Sequence, residues 1–469
     1  MRAGASAAPA AVRRRASAAR DTGGMPSSPP GHARPRATTL SVAGAVLLAA
    51  AAGIALGLAG AGQLSTSQTA AAEPPPASSP DSPTPTPAVT ADPAATPSPA
   101  PAEPEPEPVS FTLVAGGDVL THTPVNASAR VDGGYDYTAL MSGVRPFIEG
   151  ADLALCHLEV PIAPEGTEPS GYPIFAAPAE LARDLKEVGW DGCSTASNHS
   201  VDKGPSGVES TLDVLDANRL QHTGTARSAD EATRTSLYSV RAGDRTVRVA
   251  HVSFSYGTNG MPVTNPWEVN LFDAEASDAA PIIEAAERAR ADGADVVVAS
   301  VHCCVEYRTE PTDAQRVLAE RIAESGAVDL YVGHHAHVPQ PIELLDGGPA
   351  GEGMWTAFGL GNFLSNQDSR CCVAETSNGL LLTATFTMGT DGGVTVGAEW
   401  TAITVDTGDG HRMHALAEIA DGAGSLGAAE VADRRGRVSA AAGSAAPERT
   451  EPATRLADQM YPQLAIAAS

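Results

Sequence analysis

Short apolar, β-branched runs recur through the middle of the chain and alternate with segments of helical period. Runs at 111–115, 153–158, 192–196, 247–254, 295–301, 329–332 and 356–358 read as strands. Helical patterns fall between them at 137–149, 178–188, 205–218, 278–292 and 312–325, the last opened by Thr312 and Asp313 as a helix start. Runs at 380–387 and 394–405, joined through Asp391, Gly392 and Gly393, read as an antiparallel pair. This alternation predicts a layered α/β domain over residues 109–410. Polar residues stand just past the C-terminal ends of several runs: Asp118, Glu159, Asn198 with His199, His302, and then His334, His335 and His337. In open α/β sheets that edge is where ligands bind.

The flanks lack this pattern. Residues 42–62 carry no charge and suffice in length, at about 20 residues, to cross a bilayer as a helix. Arginines crowd the preceding 1–41, so the N-terminus is expected in the cytoplasm and the domain outside it, on a single-pass anchor at the cell membrane. Cleavage near 68–71, after a signal peptide, is the alternative. Residues 63–108 are rich in proline and read as an extended linker. Residues 411–469 are rich in alanine and read as a low-complexity tail, with 423–469 either disordered or a loose helix.

The chain carries a net charge of −26, although residues 1–36 are basic. So acidic a body repels phosphate backbones, which argues against nucleic acid as a partner. Only four Trp and eight Tyr are spread along the chain, which gives no aromatic platform for a plain carbohydrate- or wall-binding module.

The polar strand ends supply what a pair of divalent metal ions needs. Asp118 and Glu159 give carboxylates, Asn198 an amide oxygen, and His302, His335 and His337 imidazoles. His199 is either an acid/base or a phosphate-orienting group. The spacing of His335 and His337 puts both rings on one side if the segment is extended. Each piece alone has a structural reading: Gly117 and Asp118 suit a turn, and Asn198 with His199 suits a helix cap. Together, the mixed nitrogen and oxygen set suits Mn, Zn or Fe.

The chain resembles the CapA family, the poly-γ-glutamate capsule biosynthesis proteins, over residues 110–405. The resemblance rests on GGDVLTH (116–122), LCHLEVPI (155–162), ASNHSVDKG (196–204), VHCCVEY (301–307), VGHHAHVPQP (332–341) and GLGNFLSNQ (359–367). It implies the calcineurin-like metallophosphoesterase sandwich, two mixed sheets flanked by helices. It also implies metal-ligand roles for Asp118, Glu159, Asn198, His302, His335 and His337, a catalytic role for His199, and supporting roles for Asp202 and Glu306. Two departures stand out. Calcineurin-like phosphoesterases begin with Asp-x-His, whereas Asp118 is followed by Val119 and Leu120; and Cys303–Cys304 replaces the family's Trp-Gly. The implied function is a metal-dependent hydrolase acting in poly-γ-glutamate or capsule polymer synthesis or export. The alternative is a non-catalytic component of a surface-polymer assembly complex. Either way the partner is an anionic surface polymer or a polymer-synthesis complex.

Six cysteines in a chain expected outside the cytoplasm suggest disulfides. Cys156 and Cys193 lie on the strands that deliver Glu159 and Asn198 and are expected to pair. Cys303 or Cys304 is expected to pair with Cys371 or Cys372. Soft-metal or redox chemistry, or buried free thiols, are the alternatives.

Overall fold

A computed structural model describes residues 107–456 and the backbone of the strand Gln459–Pro462. The expected basic segment 1–41 and span 42–62, and all of the linker 63–108 except its last two residues, lie outside the described residues. Among the described residues no helix is long and apolar enough to cross a membrane.

Two mixed sheets face each other. The first, of eight strands, runs in the order Arg412–Ala415, Val394–Asp406, Asn378–Met388, Val109–Val119, Leu153–Leu158, Gly192–Ser194 and Gln221–Thr223, with Asn362–Leu364 also on Val109–Val119. The second, of seven, runs Ile342–Leu345, Met354–Ala357, Leu330–His334, Val296–His302, Arg245–Ser255, Ser236–Ala242 and Gln459–Pro462. The parity of the strands explains the layers. Phe111, Leu113 and Ala115 pack between the sheets against Tyr238, Val249, Val296 and Val298. Their neighbour Val114 points outward, under Leu181, Leu185, Leu212 and Leu215 of the helices Glu180–Glu187 and Gly204–Ala217. On the other side Val297, Ala299 and Val301 lie under the helices Ala280–Ala291 and Asp313–Ser325. Thr312 caps the latter with Gln315 in a reciprocal capping box. The result is the predicted α/β sandwich of two mixed sheets flanked by helices.

The centres of both sheets are parallel, so their strands end at one rim. Val109–Val119, Leu153–Leu158 and Gly192–Ser194 run in parallel in the first sheet, as do Val296–His302 and Leu330–His334 in the second. Register places Asp118 beside His157, His157 beside Ser194, and His334 beside His302.

Two expectations are corrected. The helical pattern at 137–149 forms two short helices, Thr138–Met141 and Arg145–Glu149. Gly143 between them bridges His414, and a Cβ there would stand 2.4 Å from the Met413 carbonyl. The domain also does not end at 410. Arg412–Ala415 extends the first sheet, and helix Ala428–Ala442 buries Val431, Val438 and Ala442 against the inter-sheet core. The Trp400 indole N–H donates to the Ala446 carbonyl, Leu456 N–H donates to Asp152, and Gln459–Pro462 pairs with Ser236–Ala242. The apolar residues of this stretch are spaced too widely among alanines to read as a core face from the sequence.

Candidate metal centre

Asp118 reaches the rim because two glycines precede it. A Cβ on Gly117 would lie 1.9 Å from the Gly361 carbonyl oxygen, and the close approach lets Asp118 N–H donate to that same oxygen at 2.9 Å. The Asp118 carboxylate is fully buried. It accepts from His335 N–H at 3.3 Å and faces His337 Nδ1 at 3.0 Å and His334 Nδ1 at 3.5 Å. Burial alone would raise its pKa, but the imidazoles of His334 and His337 beside it outweigh that and hold Asp118 well below the usual carboxylate range.

Glu159, just past Leu153–Leu158, is equally buried, and neither of its carboxylate oxygens has a hydrogen-bond partner. Its Oε1 stands 3.7 Å from His337 Nε2 and 3.9 Å from His302 Nε2. Burial, with Asp118, Glu306 and Asp202 nearby, pushes its pKa well above the ordinary value against the pull of His337. His337 in turn is pulled down by burial and raised more strongly by Glu159 and Asp118, to about 9. Burial lowers His302 and brings His335 to about 3, so both rings are neutral and keep lone pairs for a cation.

Two groups of ligand atoms, each within 4.8 Å of one another, share Glu159: Asp118, Glu159 and His337 in one, Glu159, His302 and His335 in the other. Asn198 Oδ1 lies 3.0 Å from His302 Nε2 and joins the second group. A carboxylate with both oxygens unpartnered, common to two donor sets, fits a bridging ligand between two divalent ions. The residues therefore fit the implied metals, and all six expected ligands meet at one rim.

The reason His335 and His337 converge differs from the expected one. The strand ends at His334, and both residues adopt left-handed backbone, φ 82° and 57°. Such conformations cost of order 1 kcal/mol each and cluster where function needs them. Asn362 holds the His337 ring, its Oδ1 lying 3.1 Å from Nδ1, while its amide N–H groups donate to Gln367 and the Thr376 carbonyl.

His199 stands apart from the ligand groups, in a cleft of ≈ 640 Å³ that also touches Asp202, Glu306, Tyr307 and His337. Its Nδ1 is 2.8 Å from Asp202 Oδ2. A carboxylate accepts only, so Nδ1 carries the proton and Nε2, 3.4 Å from Asn259 Nδ2, is left to act in the cleft. Asp202 Oδ2 also accepts from Phe175 N–H, which fixes the pair.

Sequence reasoning missed His157 and gave His334 no role. His157 is fully buried; its Nδ1 is 2.8 Å from Ser194 Oγ and its Nε2 2.9 Å from His302 Nδ1. His334 stacks on His157 at 4.0 Å between ring centroids. The one available signal was spacing: His157 lies on the strand Leu153–Leu158, two positions before Glu159 just past its end. For His302 Nε2 to face a cation, its Nδ1 must donate, and His157 Nε2 is the acceptor. Replacing His157 with Ala is expected to weaken divalent-cation binding about 10- to 100-fold, as for lost outer partners of metal-bound histidines. His157→Gln, whose amide oxygen can still accept, should recover most of that loss in a calorimetric titration.

Cys156 and Cys193 face each other in register on adjacent strands and are bonded. The expected link from Cys303 or Cys304 to Cys371 or Cys372 is not formed. Cys303 and Cys304 pair with each other, while Cys371 and Cys372 are free and line the cleft. Cys303 is buried in the outer core beneath Asp313–Ser325, turned from the cleft.

The sequence profile of the family described as Bacterial capsule synthesis protein PGA_cap matches residues 112–367, more than half of the chain. The PGA biosynthesis protein CapA of Bacillus subtilis is 29% identical over 188 residues, 40% of this chain and 46% of that protein. The capsule biosynthesis protein CapA of Bacillus anthracis is 25% identical over 240 residues, 50% of this chain and 55% of that protein. A probable polyglutamine synthesis accessory protein of Mycobacterium tuberculosis is 27% identical over 207 residues, 42% of this chain and 53% of that protein. The chain thus spans about half the length of the curated relatives it matches. Among solved structures, the NAD nucleotidase of Haemophilus influenzae gives a TM-score of 0.40 at 8% identity, over 74% of this chain and 58% of that one. The calcineurin-like phosphoesterase YfkN of Bacillus subtilis gives 0.37 at 14%, over 63% and 90%. At these scores the likeness is loose.

Proposed function

The chain belongs to the bacterial capsule synthesis protein family PGA_cap, and from that premise we propose that it is a metal-dependent, metallophosphoesterase-like hydrolase in poly-γ-glutamate or capsule polymer synthesis. The observation that carries the reading is Glu159: a buried carboxylate with no hydrogen-bond partner, common to two donor sets. Asp118, Glu159 and His337 would hold one divalent ion, and Glu159, Asn198, His302 and His335 the other. Bound divalent ions supply Lewis-acid polarisation of a substrate oxygen and a water acidified towards pH 7.

The remaining chemistry belongs to the side chains. Asp202 keeps the proton of His199 on Nδ1, so Nε2 accepts a proton from the cleft and returns it to a leaving group. Phe175 packs edge-on against the His199 ring at 4.7 Å between centroids, and Tyr307 lines the same cleft. The substrate class is an anionic surface polymer or its carrier-linked precursor, cleaved at a phosphoester or amide. An acidic chain attracts such a polymer through its cations. The uncharged span 42–62 would hold the domain at the outer face of the cell membrane.

A second reading is a non-catalytic component of the assembly complex. It is favoured by the "accessory" role in the name of the mycobacterial relative and by the missing Asp-x-His histidine.

The test is metal analysis of the full-length protein beside its His335→Ala and His199→Ala variants, with hydrolysis of a chromogenic phosphodiester. His335→Ala should lose bound metal. His199→Ala should keep it and lose about 10²–10⁴-fold in turnover. Unchanged metal content in His335→Ala would break the ligand assignment. Metal without turnover in the wild type, together with normal polymer in a strain carrying His199→Ala, would favour the second reading.

A further inference from the structure

The two donor sets are unequal. Glu159, His302 and His335 have Asn198 as a fourth donor, whereas Asp118, Glu159 and His337 have no second donor from the strand Val109–Val119 that carries Asp118. Val119 and Leu120 are buried among apolar side chains. His122 is turned away, its Nδ1 3.0 Å from the Leu120 carbonyl oxygen and its ring edge-on to Phe175. Structural and catalytic sites of the metals suited to this donor chemistry take four or more ligands.

Glu306 stands beside one histidine of each donor set. Its carboxylate forms a third ligand group with His335 and His337, again within 4.8 Å. Two backbone hydrogen bonds pin its loop to the histidine loop: Cys303 N–H donates to the His334 carbonyl at 3.3 Å, and Tyr307 N–H to the Ala336 carbonyl at 2.8 Å. Tyr307 takes left-handed backbone, φ 64°, immediately after Glu306. Glu306 is half-buried and lines the cleft, on the solvent side of fully buried Asp118 and Glu159. Resting on the metal-centre reading above, we infer that Glu306 is a cation ligand. It completes, through the shared His337, the donor set left short by the absent histidine.

The experiment uses full-length protein stripped with chelator, then titrated with Mn(II) and separately with Zn(II) by calorimetry. Metal per chain is counted after desalting. Wild type should bind two ions. Glu306→Gln should bind one as before and the other at least 10-fold more weakly, with Glu306→Asp in between. The melting temperature of the chelated protein should not change, since the substitution leaves the half-buried side chain its shape. Two ions bound by Glu306→Gln with wild-type affinities overturn the inference and leave the proposed function standing. Equal loss of both ions together with a lower chelated melting temperature shows a folding role and overturns it too. A wild-type protein that binds no cation overturns both.

Discussion

Glu159→Gln is expected to empty the metal centre and yet raise the melting temperature of the chelated protein. The two effects share one cause. Without cations, Glu159 is a fully buried carboxylate whose two oxygens accept no hydrogen bond, with only the partial compensation of imidazole nitrogens at 3.7 and 3.9 Å. An uncompensated buried charge costs several kcal/mol, and relieving part of it should return roughly 1–3 kcal/mol. The pH dependence gives the sign. The folded pKa of Glu159 is raised well above the unfolded value. A raised folded pKa contributes stability that is fully present below the unfolded pKa and is lost as pH rises through the folded one. The advantage of the variant is therefore absent below about pH 4, where both states are protonated, and grows as pH climbs towards the raised pKa. With Mn(II) or Zn(II) the order reverses. A ligand at 100 times its Kd stabilises the wild type by about 2.7 kcal/mol, and the variant gains nothing. Melting curves with chelator and with metal, between pH 4 and 8, measure all of this. A chelated variant that melts below wild type would show that Glu159 is already satisfied within the fold, and the bridging assignment would go with it.

Truncation after residue 410 should prevent stable folding, although the apolar pattern of the sequence places the end of the domain there. The deletion removes the edge strand Arg412–Ala415 and the buried side chains Leu416, Leu426, Val431 and Val438, along with Ala442 and Ala446. It also removes the acceptor of the buried Trp400 indole N–H. Fully burying a Leu or Val side chain contributes about 1.5–3 kcal/mol. Four of them, with the alanines and the edge strand, approach the whole 5–15 kcal/mol stability of an ordinary domain. Residues 107–410 should be insoluble or lack a cooperative denaturation transition, whereas 107–462 should unfold in one. A cooperative transition for 107–410 with the midpoint of the longer chain would refute this account of the C-terminal segment.

The site's residues were more legible than its architecture. Asp118, Glu159, Asn198, His302, His335 and His337 were readable because each follows a run of apolar residues at a strand end, where polar side chains have no packing role. Glu306 and Asp202 came only with the family resemblance. His157 was hidden inside its strand, since a histidine flanked by Leu155, Cys156 and Leu158 looks like half-buried packing until the facing sheet brings His302 to 2.9 Å.

What the amino-acid order determined by itself was local: the alternation that makes strands two-faced, the helix starts, and the ligand types at strand ends. These follow from short-range sterics and from the period of side chains along a strand or helix. The tertiary structure alone decided that two sheets meet so that Glu159 is claimed from both sides. It also decided that His335 and His337 turn inward through left-handed backbone, and that an alanine-rich C-terminal segment closes the core. Those outcomes depend on contacts between residues hundreds of positions apart, and no local period encodes which distant surface a buried group will face.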